Sequence, residues 1–460
     1  MSEKIQKADI CIVGAGVAGA ALACTLANSG KQVCVIEKDW RAPDRIVGEL
    51  MQPDGIEQLQ QMGLNHLVDG YDAQDIIGYA IIKNNVPLHI NYPNAKTGKG
   101  MHNGKFIQKM RDEFSTAKNI QCIEAEAQDF LRNTDESIGG VLCLDKNGNT
   151  YQVHAKLTIV ADGIFSSFRK QMVAAKEENT GYFLGFLLRD CPLPFAQRGH
   201  VFLTEGSPFL CYPVSSTEIR FLIDFPKGQV PKKGEELMQF LNTQVRSRLP
   251  ETMHAAFDTC MREAKFKVMP NHYLPAKPNQ TDGAIVLGDA LNMRHPLTGG
   301  GMTVCLRDVH TLSHLLKTTG FDTPQERSIL AKSFYNSRTQ NTVINVLADA
   351  LYKVMSHSEL KDACYDYLSQ GGKQANEPIA LLSGLNKERT TLAKHFFAVA
   401  AQKGWEKTST NRTLGSIKDA YNMFSDAYNI IHPLLKNELS NKAAQTGLDT
   451  AEFLFKRKAL

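Results

Sequence analysis

Three things are scarce in this sequence. It has two tryptophans and ten cysteines in 460 residues, and the cysteines run from Cys11 to Cys364 without a Cys-x-x-Cys pair. That spacing excludes a disulfide scaffold and a zinc knuckle, and leaves free thiols in a reducing compartment as the expected state. His310 and His314 stand at metal-ligand spacing on a helical stretch, but no third ligand lies near in sequence, so no metal is expected. Net charge is also small, since 52 basic less 48 acidic residues leaves +4. Segment 387–458 holds twelve Lys/Arg and seven Asp/Glu, so that end carries +5 and the first 386 residues −1. No basic cluster with interleaved aromatics appears, which sets nucleic acid aside, while the basic end suits peripheral contact with an anionic membrane surface.

The third scarcity is of long apolar runs. Residues 10–30 are uncharged over 21 positions, enough for a membrane span by length alone. The stretch divides, however, into a short β-rich run, a glycine turn and a helix, without the basic start and long apolar core of a secretory signal. The expected location is therefore the cytoplasmic side, soluble or peripherally membrane-bound, with no signal peptide. Hydrophobic residues at 43% and charged ones at 22% describe a folded chain, long enough for two large domains or about three ordinary ones.

What is present begins with Gly14-x-Gly16-x-x-Gly19, which follows a strand and opens a helix; a second strand ends in Glu37. The first glycine permits the turn, the second lets backbone amides approach a pyrophosphate, and the third allows close helix–strand packing. Glu37 is placed to accept from ribose hydroxyls. This motif alone does not separate NAD from FAD. Two later strand ends, Asp162-Gly163 and Gly288-Asp289, favour FAD, whose length calls for a contact from a later part of the sheet. After Asp289, Gly299, Gly300 and Gly301 open a helix, so backbone can lie against a flavin and the positive helix end can stabilise its reduced form. Between these motifs, runs 183–188, 200–203, 209–212 and 219–223 read as short strands of a second, antiparallel sheet. From about Ala331 the pattern is helical, with Leu347, Leu351 and Met355 along one face. Leu414, Ile417, Tyr421, Phe424, Tyr428, Ile431 and Leu435 give a further amphipathic helix.

Segments 44–53, 160–166 and 288–304 resemble the squalene epoxidase (squalene monooxygenase) family almost letter for letter, and the likeness runs from about Ala8 to Val399. The resemblance implies an α/β flavin hydroxylase fold: a Rossmann-type FAD-binding domain, an inserted mixed or antiparallel β-sheet substrate domain and a helical C-terminal region. The corresponding boundaries are 1–75, 101–180 and 276–330 for the FAD-binding parts, 76–100 and 181–275 for the substrate domain, and 331–460 for the helical end. It implies FAD contacts at Glu37, Arg45, Arg111, Asp289 and Met302, and the same surface is assigned Lys38, Leu50 and Ala127. Tyr79 and Gln52 are implied at the reactive edge of the flavin, and a terpene channel at Leu347, Leu351, Met355, Tyr365 and Leu368. Phe209, Tyr212 and Pro296 complete the expected substrate surface. The family's strongly apolar tail after Ala400 is replaced here by a polar run, 402–407.

No side chain can activate dioxygen, so the implied chemistry is attack of a terminal alkene on a flavin hydroperoxide, with NADPH as indirect electron source through a reductase. The substrates expected are squalene and dioxygen and the product 2,3-oxidosqualene. A hydroxylase of aromatic or quinone-precursor substrates, a prenyl-lipid reductase on the same fold, and a flavoprotein that holds FAD only structurally remain the competing readings.

Overall fold

The computed structural model describes residues 4–279 and 281–410, together with Ser425 and His432. The amphipathic pattern between Leu414 and Leu435 lies, apart from Ser425 and His432, outside the described residues.

A seven-stranded sheet forms the first half of the molecule. Lys4–Val13 lies at its centre, parallel to Val33–Glu37 on one side and to Thr150–Val160 on the other. Ile10, Cys11, Ile12 and Val13 are all buried, as a strand covered on both faces requires. Thr150–Val160 is long enough to have two partners along one edge. Its first half pairs with antiparallel Ile138–Leu144, and its end pairs with parallel Ala284–Val286. Three strand ends far apart in sequence, at Val13, Val160 and Val286, therefore finish side by side, which is where an open α/β sheet binds its ligand. The chain leaves them through Gly14, Asp162-Gly163 and Gly288-Asp289.

The second sheet also has seven strands, ordered Lys267–Tyr273, Glu178–Arg189, Glu218–Pro226, Phe209–Pro213, Arg198–Phe202, Gly78–Lys83 and Val86–Asn91. All pairs are antiparallel except Arg198–Phe202 with Gly78–Lys83. Phe186, Phe209 and Phe221 fill one face beneath the helix Glu251–Glu263, which contributes Phe257 to the same cluster. The other face, with Tyr79, Leu210, Tyr212 and Leu222, turns toward the flavin-domain loops and the C-terminal helices. Those helices are Thr342–Met355, Ser358–Ser369, Gly372–Leu382 and Arg389–Thr410. Among the described residues no helix is long and apolar enough to cross a membrane. All ten cysteines are free.

Candidate active site

The three strand ends open into a cavity of about 780 Å³. At Gly14 (φ +94°) a Cβ would fall 2.5 Å from the Ala161 carbonyl oxygen, so only glycine fits the turn. At Gly19 a Cβ would lie 1.9 Å from the Gly14 carbonyl oxygen, which makes it the packing glycine of helix Val17–Leu26. A Cβ on Gly16 meets nothing within 4 Å, because that position faces the cavity. The helix has no acidic residue in its first turn and no side-chain cap, leaving amides for an anion.

Glu37 accepts from the Ala15 N–H at 2.8 Å and pairs with Arg111 at 3.3 Å. Arg111 is buried and donates to the carbonyls of Ala15, Asp39 and Arg41 at 3.0, 3.0 and 3.1 Å. Burial pushes its pKa down, and the Glu37 carboxylate opposes that shift. Arg111 thereby fixes the backbone on both sides of Glu37. Lys38, Arg45, Leu50, Ala127, Asp162, Gly163, Gly288, Asp289, Gly299, Gly301 and Met302 line the same cavity. Gly300 does not: a Cβ there would meet Ile344 at 2.6 Å, so the absence of a side chain at this position admits the helix Thr342–Met355.

Sequence reasoning missed Arg169. It donates to the Gly163 and Ile164 carbonyls at 3.0 and 2.6 Å and to the Ala290 carbonyl at 3.3 Å, so it ties the two Asp/Gly turns together. Glu177 is its ion-pair partner. Its place six residues after Gly163 was the available signal. Asp162 Oδ1, Asn103 Oδ1, Asn271 Oδ1 and His272 Nδ1 are buried without a hydrogen-bond partner, and all four residues line the cavity. Burial raises the Asp162 pKa. Three of these atoms are acceptors and fit the hydroxyls of a ribose- and ribityl-bearing cofactor, while the open amides at the glycine turn fit its phosphates.

At the far end of this cavity the Gln52 amide is held on three sides. Its Nε2 donates to the Thr298 carbonyl (2.7 Å) and to the Tyr79 hydroxyl (2.6 Å), and its Oε1 accepts from the Tyr92 hydroxyl (2.7 Å). A carbonyl only accepts, so Thr298 fixes which end of the amide is nitrogen. Tyr92, just beyond the strand Val86–Asn91, therefore donates to the Gln52 carbonyl, and Tyr79 accepts from the amide nitrogen. Gln52 is 0% exposed and lines neither cavity, so it contacts Tyr79 and not the cavity space. Burial raises the Tyr79 pKa and pushes that of Tyr92 well above its ordinary value, so both remain phenols.

A second cavity of about 160 Å³ begins at Tyr79. Leu347, Leu351, Met355, Tyr365 and Leu368 line it, and Tyr79, Val201, Leu210 and Leu297 are common to both cavities. Tyr212 and Pro296 face the larger one. Phe209 faces neither. It packs on Phe221 beneath the sheet, because strand residues alternate sides and Leu210 and Tyr212 take the cavity face. His310 bonds Gln58 at 2.9 Å, and the described residues hold no cluster able to bind a metal.

A Rossmann-type sheet with three converging turns, joined to a second sheet whose face meets an apolar cavity, is the flavoprotein fold shared by FAD-dependent monooxygenases. Solved structures share this fold, including PqsL of Pseudomonas aeruginosa (TM-score 0.66, 21% identity, 78% of this chain and 100% of that one). A flavin-dependent brominase superposes with TM-score 0.69 at 15% identity over 86% of this chain and 98% of its own. The FAD dependent oxidoreductase family matches residues 9–45, and the squalene epoxidase family matches residues 154–421. Squalene epoxidase 2 of Arabidopsis thaliana is 41% identical over 94% of this chain and 76% of its own length. The Schizosaccharomyces pombe squalene epoxidase is 35% identical over 95% and 99%, and the Mus musculus squalene monooxygenase 38% over 85% and 70%. The chain belongs to the squalene epoxidase family, FAD-dependent monooxygenases that use dioxygen to epoxidise squalene.

Proposed function

We propose that the smaller cavity receives one end of the squalene chain and brings its terminal alkene to Tyr79, beside FAD held in the larger cavity. The observation that carries this reading is the junction itself: an apolar cavity meets the polar, glycine-lined one at Tyr79, Val201, Leu210 and Leu297. Bound FAD supplies the activation of dioxygen that side chains lack. The chain's own residues bind, orient and exclude water. Glu37 would take the ribose hydroxyls, Arg45 and the helix end at Gly16 the pyrophosphate, and Asp289 and Met302 would hold the ribityl and ring. Tyr79 accepts from Gln52 and so keeps its own proton free to donate at the cavity junction. Gln52 is a positioning residue that acts through Tyr79. The aliphatic wall keeps water from the reacting atoms and aligns the alkene.

Electrons reach the flavin from NADPH through a separate reductase, a reading supported by the single dinucleotide turn. The +5 charge of segment 387–458 supports peripheral contact with the cytoplasmic face of an anionic membrane. Incubation with squalene, FAD, NADPH and a reductase under isotopically labelled dioxygen tests the whole reading. One labelled oxygen in the product is expected. Turnover without dioxygen would replace it with alkene reduction, and substrate-stimulated NADPH oxidation without reductase would replace it with a self-sufficient hydroxylase.

A further inference from the structure

Three C-terminal helices meet at one polar contact in the apolar cavity. Tyr367 comes from Ser358–Ser369, Glu377 from Gly372–Leu382 and His395 from Arg389–Thr410. The Tyr367 hydroxyl lies 2.8 Å from His395 Nδ1, and His395 Nε2 lies 2.5 Å from Glu377 Oε2. Tyr367 and His395 are buried and line the smaller cavity, and neither lines the larger. Glu377 sits partly exposed, with Lys394 Nζ 3.2 Å from the same carboxylate oxygen. Hydrogen bonds from His395 and Lys394 hold the Glu377 carboxyl below its ordinary pKa, so it only accepts.

The proton order follows from those partners. His395 Nε2 donates to the Glu377 carboxylate, and Nδ1, left as the ring's acceptor, takes the Tyr367 O–H. The Tyr367 oxygen retains a lone pair. Of the other hydroxyls of this cavity, Tyr79 stands at the junction with the larger cavity and accepts from Gln52, and Tyr365 donates to the Val86 carbonyl at 3.1 Å at the exposed side, so Tyr367 is the buried hydroxyl away from the flavin. A pure hydrocarbon makes no use of that lone pair, whereas a ligand O–H gains a hydrogen bond there.

We propose that the Tyr367–His395–Glu377 relay is a second recognition point of the cavity, away from the flavin, that accepts the hydroxyl of an isoprenoid alcohol. The alcohol donates to the Tyr367 oxygen while its chain lies along the leucine wall toward Tyr79. An epoxide or ether terminus, which has no proton to give, gains nothing there. This rests on the reading of the smaller cavity as the substrate channel.

The test is equilibrium dialysis of the FAD-loaded full chain with an isoprenoid alcohol, the matched epoxide-ended chain and the matched hydrocarbon, for the unsubstituted protein and Tyr367→Phe. The phenyl ring keeps the apolar wall. The expected result is about tenfold weaker alcohol binding, the worth of one buried hydrogen bond, with the other two ligands within about twofold. Equal losses for all three ligands would make the relay a structural tie between helices and overturn the proposal. An unchanged alcohol affinity, or a loss confined to the epoxide-ended chain, would overturn it as well. His395→Leu, which removes the relay's middle, is expected to reproduce the alcohol-selective loss. Squalene turnover by the unsubstituted protein is scored separately: its absence overturns the channel reading, whereas turnover without Tyr367-dependent alcohol binding overturns only the relay.

Discussion

Removing the Tyr92 hydroxyl isolates one bond of the Gln52 cluster. Tyr92 is 2% exposed, and its ring meets that of Tyr79 edge-on with centroids 5.8 Å apart. Tyr92→Phe keeps that contact and the apolar burial, and deletes only the 2.7 Å bond to Gln52 Oε1. Oε1 then becomes a buried acceptor with no partner, which costs about 1–3 kcal/mol. In a Gln52→Leu background the acceptor is already gone, and the Tyr92 hydroxyl is itself the group left unsatisfied. There the same Tyr92→Phe change is expected to cost nothing or to stabilise, a coupling energy of about 1–3 kcal/mol between the two sites. Urea unfolding of the four FAD-loaded proteins measures the cycle. Peroxide release per NADPH consumed, with a reductase, follows the functional side: Gln52→Leu frees the Tyr79 hydroxyl and is expected to uncouple more than Tyr92→Phe, which leaves both Nε2 bonds in place. An identical loss from Tyr92→Phe in both backgrounds would refute the view that Tyr92 acts on Gln52.

Gly14→Ala places a methyl 2.5 Å from the Ala161 carbonyl at φ +94° and should lose more than about 2 kcal/mol, whereas Gly16→Ala finds open space. Apoprotein stability within about 0.5 kcal/mol of the original, with weakened flavin retention on gel filtration, is expected for Gly16→Ala. Arg111→Met strands three carbonyls and the Glu37 carboxylate and should cost about 3–5 kcal/mol, with flavin lost; a protein that stays yellow and equally stable would contradict this. Burial lowers the His200 pKa to about 4, and its Nε2 accepts from the Phe195 N–H at 3.2 Å. The folded value lies below the unfolded one, so this stabilisation is complete above about pH 6.5 and is lost as pH falls through the folded value, at most about 3 kcal/mol. Urea titrations at neutral pH and near pH 4 should show His200→Gln flattening that dependence, and parallel curves would exclude it.

The sequence alone settled the parts whose physics is local. A glycine with φ +94° after a buried strand, a helix without an acidic first turn and a carboxylate at the next strand end are one contiguous motif, legible because each element constrains its neighbours. The later Asp162-Gly163 and Gly288-Asp289 turns were legible for the same reason, as were the strands between them. Only the tertiary structure decided which groups meet. Gln52 bonds a carbonyl 246 positions away, and its second phenol, Tyr92, stands in a segment that carries no signal of its own. Residues 209–213 are buried at every position, so nothing in the pattern reveals that Phe209 turns from the cavity while Leu210 and Tyr212 face it. Gly300 looks like its two neighbours in sequence, yet it is the one pressed by Ile344. Backbone conformation is set within a few residues, so a sequence displays it. Which side of a sheet is wet, and which hydroxyl finds which amide, depend on the packing of distant segments, and those are fixed only when the chain has closed on itself.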